Sequence, residues 1–204
     1  IRSAVRELAE RDARPLSRLA RHAEPEVARE AIAILSRVAL DYVPSVLWEA
    51  TRASNGMVRR AAVQGLMKQN AADCRQLALF LADSDDGTRN MVFRFLSRTR
   101  SQEVEASITQ YIREGEFSRK DRAFLLSLYR VLGSCGTRRS EDFLREGLFS
   151  RPFRPGGMRA VHRRGAAEAL GLLNSSRARE LLREASKSVW PNICRAARKA
   201  REQT

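Results

Sequence analysis

The residues best equipped for chemistry crowd into one stretch, LFSRPFRPGGMRAVHRR at 148–164, where five arginines surround Phe149 and Phe153. A guanidinium binds carboxylates and phosphates through paired N–H donors, and a neighbouring Phe gives such a site an apolar anchor. The chemistry implied is recognition of an anionic partner, with Arg151, Phe153, Arg154, Arg159, Arg163 and Arg164 as the candidate residues. Pro152, Pro155, Gly156 and Gly157 forbid a continuous helix, so the stretch reads as a loop. The competing reading is a tolerated surface insertion with solvated arginines, because added loop length is thermodynamically cheap.

Other reactive side chains lack companions. Cys74, Cys135 and Cys194 are far apart, with no CxxC spacing and only two histidines to assist them, so no metal or cofactor site is expected and all three read as buried small residues in a reducing cytosol. His22 falls near the end of an early helix, and His162 starts a repeat among arginines that disfavour its protonation; neither is assigned a catalytic role. Hydrolase, zinc-protease, phosphate-loop and dinucleotide motifs do not occur, and Asp83, Asp85 and Asp86 lack the remaining spacing of a calcium loop, leaving them as a turn. Trp48 and Trp190 are too separated to share a cage and read as packing residues.

The formal charge is +14, and its distribution is uneven. Residues 1–117 hold 18 basic and 16 acidic groups, whereas 118–204 hold 20 basic and 8 acidic. Lys68, Lys120, Lys187 and Lys199 are the only lysines, a preference for Arg that a GC-rich coding sequence would also produce. Arg138, Arg139, Arg145, Arg177, Arg179 and Arg183 extend the positive character over the last third of the chain. With 43% hydrophobic and 30% charged residues the chain is neither a disordered polyelectrolyte nor a membrane protein, since no apolar run reaches the length of a span.

The elements that must hold these residues repeat. VAREAIAIL (27–35), VRRAAVQGL (58–66), TRNMVFRFL (88–96), KDRAFLLSL (120–128), HRRGAAEAL (162–170) and NICRAARKA (192–200) align, closing at intervals of 31, 30, 32, 42 and 30 residues. Each carries apolar residues at helical spacing, and small residues such as Ala61, Ala62 and Gly65 or Gly165, Ala166 and Ala167 let helices approach closely. A second stripe follows each: Val43, Val46 and Leu47; Leu77, Phe80 and Leu81; Val104, Ile108 and Ile112; Phe143, Leu144 and Leu148; Leu181, Leu182 and Ala185. Ser118 with Asp121 has capping-box spacing, Asn70 with Asp73 starts a helix with its acid in the first turn, and Ser140 starts another ahead of Glu141 and Asp142. Pro25, Pro44 and Pro191 sit where first turns are expected, and no sustained strand alternation appears.

The pattern of a small or acidic turn, then V-R-x-x-A-x-x-x-L, then a short break and L-x-x-x-L, resembles the bacterial HEAT repeats called phycobilisome-lyase-type HEAT-like repeats. GMVRRAAVQGL (56–66) and HRRGAAEALGLLNSSRARELL (162–182) carry the resemblance best. It implies an all-α fold, a right-handed α-solenoid of about six HEAT-like helical hairpins with the first and last incomplete. The units fall near 1–24, 25–55, 56–86, 87–117, 118–157 and 158–204, forming one repeat domain. Because the helical pattern already runs at Ile1, the chain is expected to be a fragment of a longer protein. Expected function is a non-enzymatic, cytoplasmic scaffold within a bacterial regulatory or signalling protein, binding a protein partner through its helical ridge and the basic segment. The alternative is a nucleic-acid-binding solenoid similar to alkylpurine DNA glycosylases, against which the 6% aromatic content argues. A chaperone or lyase-type partner of a cofactor protein is suggested by the repeat's name alone. Oligomeric state and the partner's identity stay open.

Overall fold

In the computed structural model the described residues are 14–99, 101–149, 158–188 and 191–201, and every regular element among them is helical. Arg151, Phe153, Arg154 and Trp190 lie outside the described residues. The chain divides into two compact units, residues 1–91 and 92–204.

The first unit contains α1 (Arg14–Leu19), α2 (Pro25–Leu35), α3 (Val43–Ala50), α4 (Gly56–Lys68), α5 (Cys74–Leu79) with a 3-10 turn at Phe80–Ala82, and the first residues of α6 (Asp86–Arg98). α2 packs on α1 and α4, and α3 packs on α4. Ile32, Leu35, Val43, Leu47, Ala62 and Leu66 are fully enclosed, as the two stripes require. Pro25 and Pro44 occupy first turns, where the missing N–H breaks no helical bond. Trp48 half-buries against this core, stacks on Phe80 with ring centroids 6.2 Å apart and donates its indole N–H to the Ala71 carbonyl.

The second unit contains the rest of α6, then α7 (Gln102–Glu114), a 3-10 turn at Arg119–Asp121, α8 (Arg122–Cys135), α9 (Arg138–Phe149), α10 (Arg159–Leu173), α11 (Ser176–Ser186) and α12 (Pro191–Arg201). α10 is the hub, packing on α8, α9, α11 and α12. Its run of Gly165, Ala166, Ala167 and Ala169 is buried, and the absence of bulk there permits four neighbours. The Ser118–Asp121 capping box forms, with hydrogen bonds in both directions. Among the described residues no helix is long and apolar enough to cross a membrane.

Several local expectations change. Asp73 does not lie inside a first turn: it is itself the N-cap of α5, in a capping box with Gln76, while Asn70 sits at φ 50° in the turn that leaves α4. Ser140 does not start a helix either, because α9 begins two residues earlier and Ser140 is buried. Of the stretch read as a loop, Leu148 and Phe149 belong to α9 and residues 159–164 to α10; the helix-breaking residues end at Gly157, so the arginines beyond them are free to be helical. Cys135 is buried as expected, but Cys74 and Cys194 are only half-buried, and Cys194 lies with its Sγ 3.2 Å from the Ser186 carbonyl.

The turn containing Asp83 and Asp85 is held by charge. Asp85 takes two bonds from Arg60, at 2.9 and 2.6 Å, and caps α6 by accepting the Thr88 N–H and hydroxyl. Those hydrogen bonds, Arg60 foremost, hold the Asp85 carboxyl well below the usual carboxylate range, and Arg59 does the same for Asp83. A carboxyl whose folded pKa is depressed stabilises the fold above its unfolded value of about 3.9, and that contribution disappears as pH falls through the lower folded value. The urea midpoint is therefore expected to hold steady from neutral pH to about 5 and to fall below about 4. Asp85→Asn should lose more stability at pH 7 than at pH 3, since at the lower pH the unfolded carboxyl takes up a proton while the folded one is still charged, which offsets part of the pair's contribution. A constant difference across the range would contradict this.

Candidate functional site

The sequence singled out arginines on either side of residue 157, and α10 determines where the later ones stand. α10 is fixed against α8 by two glycines. A Cβ on Gly133 would lie 2.7 Å from the Ala169 Cα, and one on Gly165 would collide with the ring of Tyr129. Tyr129 is 1% exposed, and burial pushes its phenol well above the usual range, keeping it a neutral hydroxyl 3.0 Å from His162 Nδ1. His162 is thus a packing residue of α10, edge-on to Tyr129 and Phe117 rather than standing free among arginines.

With α10 so held, Arg159 is exposed and Arg163 and Arg164 are half-buried. Arg164 is engaged internally: its Nε lies 2.6 Å from Glu168 Oε1, while Arg130 approaches the other oxygen at 3.2 Å. Glu168 is 9% exposed, so Arg164 and Arg130 serve to neutralise a largely buried carboxylate. Arg163 differs. In the aligned repeats it stands where VRRAAVQGL has Arg59. Arg59 is fully used, gripping Asp83 through Nε and Nη2 and the Ala53 and Ser54 carbonyls through Nη1. Asp83 lies in the turn that follows the second helix of its repeat; the matching turn here, 187–190 between α11 and α12, carries no acid in sequence, and Arg163 makes no ion pair among the described residues. The aligned repeats separate these two arginines in sequence, since an acid follows the second helix of one repeat and not of the other.

Three carboxylates in this unit, Glu105, Glu141 and Glu168, are buried. Glu105 on α7, 4% exposed, accepts the Thr137 hydroxyl at 2.8 Å and the Ser140 hydroxyl at 2.5 Å. Glu141 on α9, 1% exposed, accepts the Ser175 hydroxyl at 2.5 Å. Asp121 serves its capping box, and Asp142 pairs with Arg177. The buried acids are therefore occupied in holding helices together, while Asp142, Glu146, Glu180 and Glu184 stand exposed among a larger number of exposed arginines. Arg138, Arg145, Arg159, Arg179 and Arg183 are exposed and make no ion pair among the described residues. Arg139 and Arg177 are tied back, to Gln102 and to Asp142. The outward electrostatic character is more positive than the count of acids suggests, and it suits carboxylate or phosphate groups. Among the described residues no group of three His, Cys, Asp or Glu side chains could hold a metal ion.

Residues 163–188, covering most of α10 and all of α11, match the family model described as PBS lyase HEAT-like repeat. The comparison with curated proteins gives no match. Among solved structures, human deoxyhypusine hydroxylase in complex with glycerol is similar at 16% identity and a TM-score of 0.43, covering 97% of this chain and 77% of that one. A crystal structure of an engineered protein is similar at 14% identity and a TM-score of 0.39, covering 94% of this chain and 95% of that one.

Proposed function

We propose that this chain is a non-enzymatic interaction module whose residues 118–204 bind an acidic surface of a partner protein. The observation that carries this reading is Arg163: a repeat position that in Arg59 is consumed by an internal aspartate here meets none among the described residues. Arg159 lies four residues before it on the same helix, so the two cations share one face. Arg151, Phe153 and Arg154 precede them in sequence and complete the candidate set.

The test is fluorescence anisotropy with labelled polyglutamate, run beside a DNA duplex of equal charge. Binding of polyglutamate at low salt, weakening as salt rises, is expected. Arg159→Glu with Arg163→Glu should weaken it about tenfold, because each reversal substitutes repulsion for attraction. Deletion of 150–157 should weaken it further in a protein whose helical content is unchanged. Wild-type affinity in both variants would remove the proposal, and tighter binding of the duplex, with a steep salt slope, would favour nucleic acid instead.

A further inference from the structure

The interval from Leu66 to Leu96 is 30 residues, as is that from Leu170 to Ala200, so the repeat of α4 and α5 and the repeat of α10 and α11 run in one register without a gap. Their backbones agree. Asn70 and Asn174 are equivalent, and each turns left-handed after the first helix, at φ 50° and 47°. Asp83 and Lys187 are equivalent too, and each immediately follows the second helical segment, the 3-10 turn at Phe80–Ala82 in one repeat and α11 in the other. Ala62 with Ala166, and Leu66 with Leu170, are fully enclosed in both. Within this register the acidic turn DSDD at 83–86 becomes KSVW at 187–190. Arg59 keeps its equivalent in Arg163, but Asp83, which accepts from Arg59 Nε and Nη2 at 2.9 and 2.8 Å, is replaced by Lys187. Arg60 keeps its equivalent in Arg164, and that arginine finds a substitute acid in Glu168. Arg163 has no substitute. Lys187 is exposed, and neither it nor Arg163 makes an ion pair or side-chain hydrogen bond among the described residues.

We propose that Arg163 and Lys187 together bind one carboxylate from an acidic segment of a partner protein, which takes the place that Asp83 holds against Arg59. The inference rests on the reading of residues 118–204 as an acidic-partner surface and adds the pair of residues at its centre and the group they take. A carboxylate is indicated because the guanidinium at this repeat position grips both oxygens of one in Arg59. Exchanging the acid for a lysine turns a closed ion pair into two like charges, whose repulsion an external anion relieves. The nearby acids do not fill this role. Glu180 and Glu184 are exposed on α11, Glu184 three residues before Lys187, and neither pairs with Arg163 or Lys187 among the described residues. In number they offset Arg179 and Arg183 on the same helix, so the attraction belongs to the 163/187 pair and not to α11 as a whole.

The test begins with the whole chain alone, by urea denaturation. Arg163→Gln should leave the midpoint unchanged or raise it, because it breaks no pair and removes a repulsion. Lys187→Asp restores the acid of the equivalent repeat, so adding Arg163→Gln to that variant should lower its midpoint. Equal effects of Arg163→Gln in the two backgrounds would mean that the positions do not meet, and would overturn the site. Labelled polyglutamate at low salt then reports the ligand. Lys187→Asp should weaken its binding at least about tenfold, because the internal acid competes for Arg163. Arg145→Asp makes the same charge change at an exposed position of α9 and should weaken binding by about threefold at most. Lys187→Arg should retain wild-type affinity. Equal losses at 187 and 145, or urea coupling with no loss of polyglutamate binding, overturn the site while leaving the basic-surface reading intact. A DNA duplex that loses affinity in Lys187→Asp when polyglutamate does not assigns the pair to phosphate and overturns the carboxylate. Failure of the wild-type chain to bind polyglutamate at all removes both readings.

Discussion

Arg59→Ala is expected to lower the unfolding free energy by about 3 kcal/mol, the effect of stranding one member of a buried charge pair. The Arg59 and Asp83 side chains are only 12% and 8% exposed. One guanidinium joins Asp83, Ser84 and the carbonyls of Ala53 and Ser54, so it fastens the turn before α6 to the turn before α4. Its removal leaves an aspartate and two carbonyls with poorer partners in a part-buried turn. Arg59→Lys should recover less than half of the loss, since an ammonium cannot span both carboxylate oxygens and both carbonyls at once. Urea denaturation reads this as a lower midpoint at unchanged slope. A midpoint within error of wild type for Arg59→Ala would show that the clamp contributes little.

The second large effect concerns Gly165. A Cβ there would collide with the Tyr129 ring, which is enclosed between α8 and α10 and cannot swing aside. Gly165→Ala should therefore destabilise by about 2–3 kcal/mol, overpacking exceeding the roughly 1 kcal/mol that Ala gains over Gly in a helix. The diagnostic is the double mutant. In a Tyr129→Ala background the same Gly165→Ala change should become neutral or stabilising, because the ring atoms that forbid the methyl, Cγ and Cδ2, are gone. Equal destabilisation in both backgrounds would place the constraint on something other than the ring.

These two sites differ in how far the sequence discloses them. Paired stripes at intervals near thirty residues predict alternating helices, and Pro25, Pro44 and the Ser118–Asp121 pair mark starts that the structure has. Such features are local, set by chemistry within one turn. Gly165 is legible as a place of close approach, but its contact with Tyr129 joins helices 36 positions apart in sequence and has no local sign. The same holds for Arg59 with Asp83, and for Glu105 with Ser140. Ser140 reads as a helix start for this reason: its sequence neighbours favour a cap, and only the buried carboxylate on α7 explains a Ser inside α9. The 148–164 stretch is the converse case. Prolines and glycines at 152–157 are strong breakers, but their influence ends with the last of them, and Arg159 onward follows the helical repeat.

Charge is the thread between fold and function. Glu105, Glu141 and Glu168 each lie inside the helical stack of residues 92–204 and satisfy hydroxyls or arginines there. These three acids stabilise the repeats from within, and on the exterior of residues 118–204 the exposed arginines outnumber the exposed acids. In this account the positive outer surface is a consequence of how the repeats are joined, and partner recognition follows from it.

Amide hydrogen exchange across the whole chain, with and without polyglutamate, tests that claim most directly. The account predicts slower exchange in α10, α11 and α12 on peptide binding, with α2 to α5 unchanged. Protection confined to α2–α5, or a bound peptide that protects no amide within residues 118–204, would contradict it.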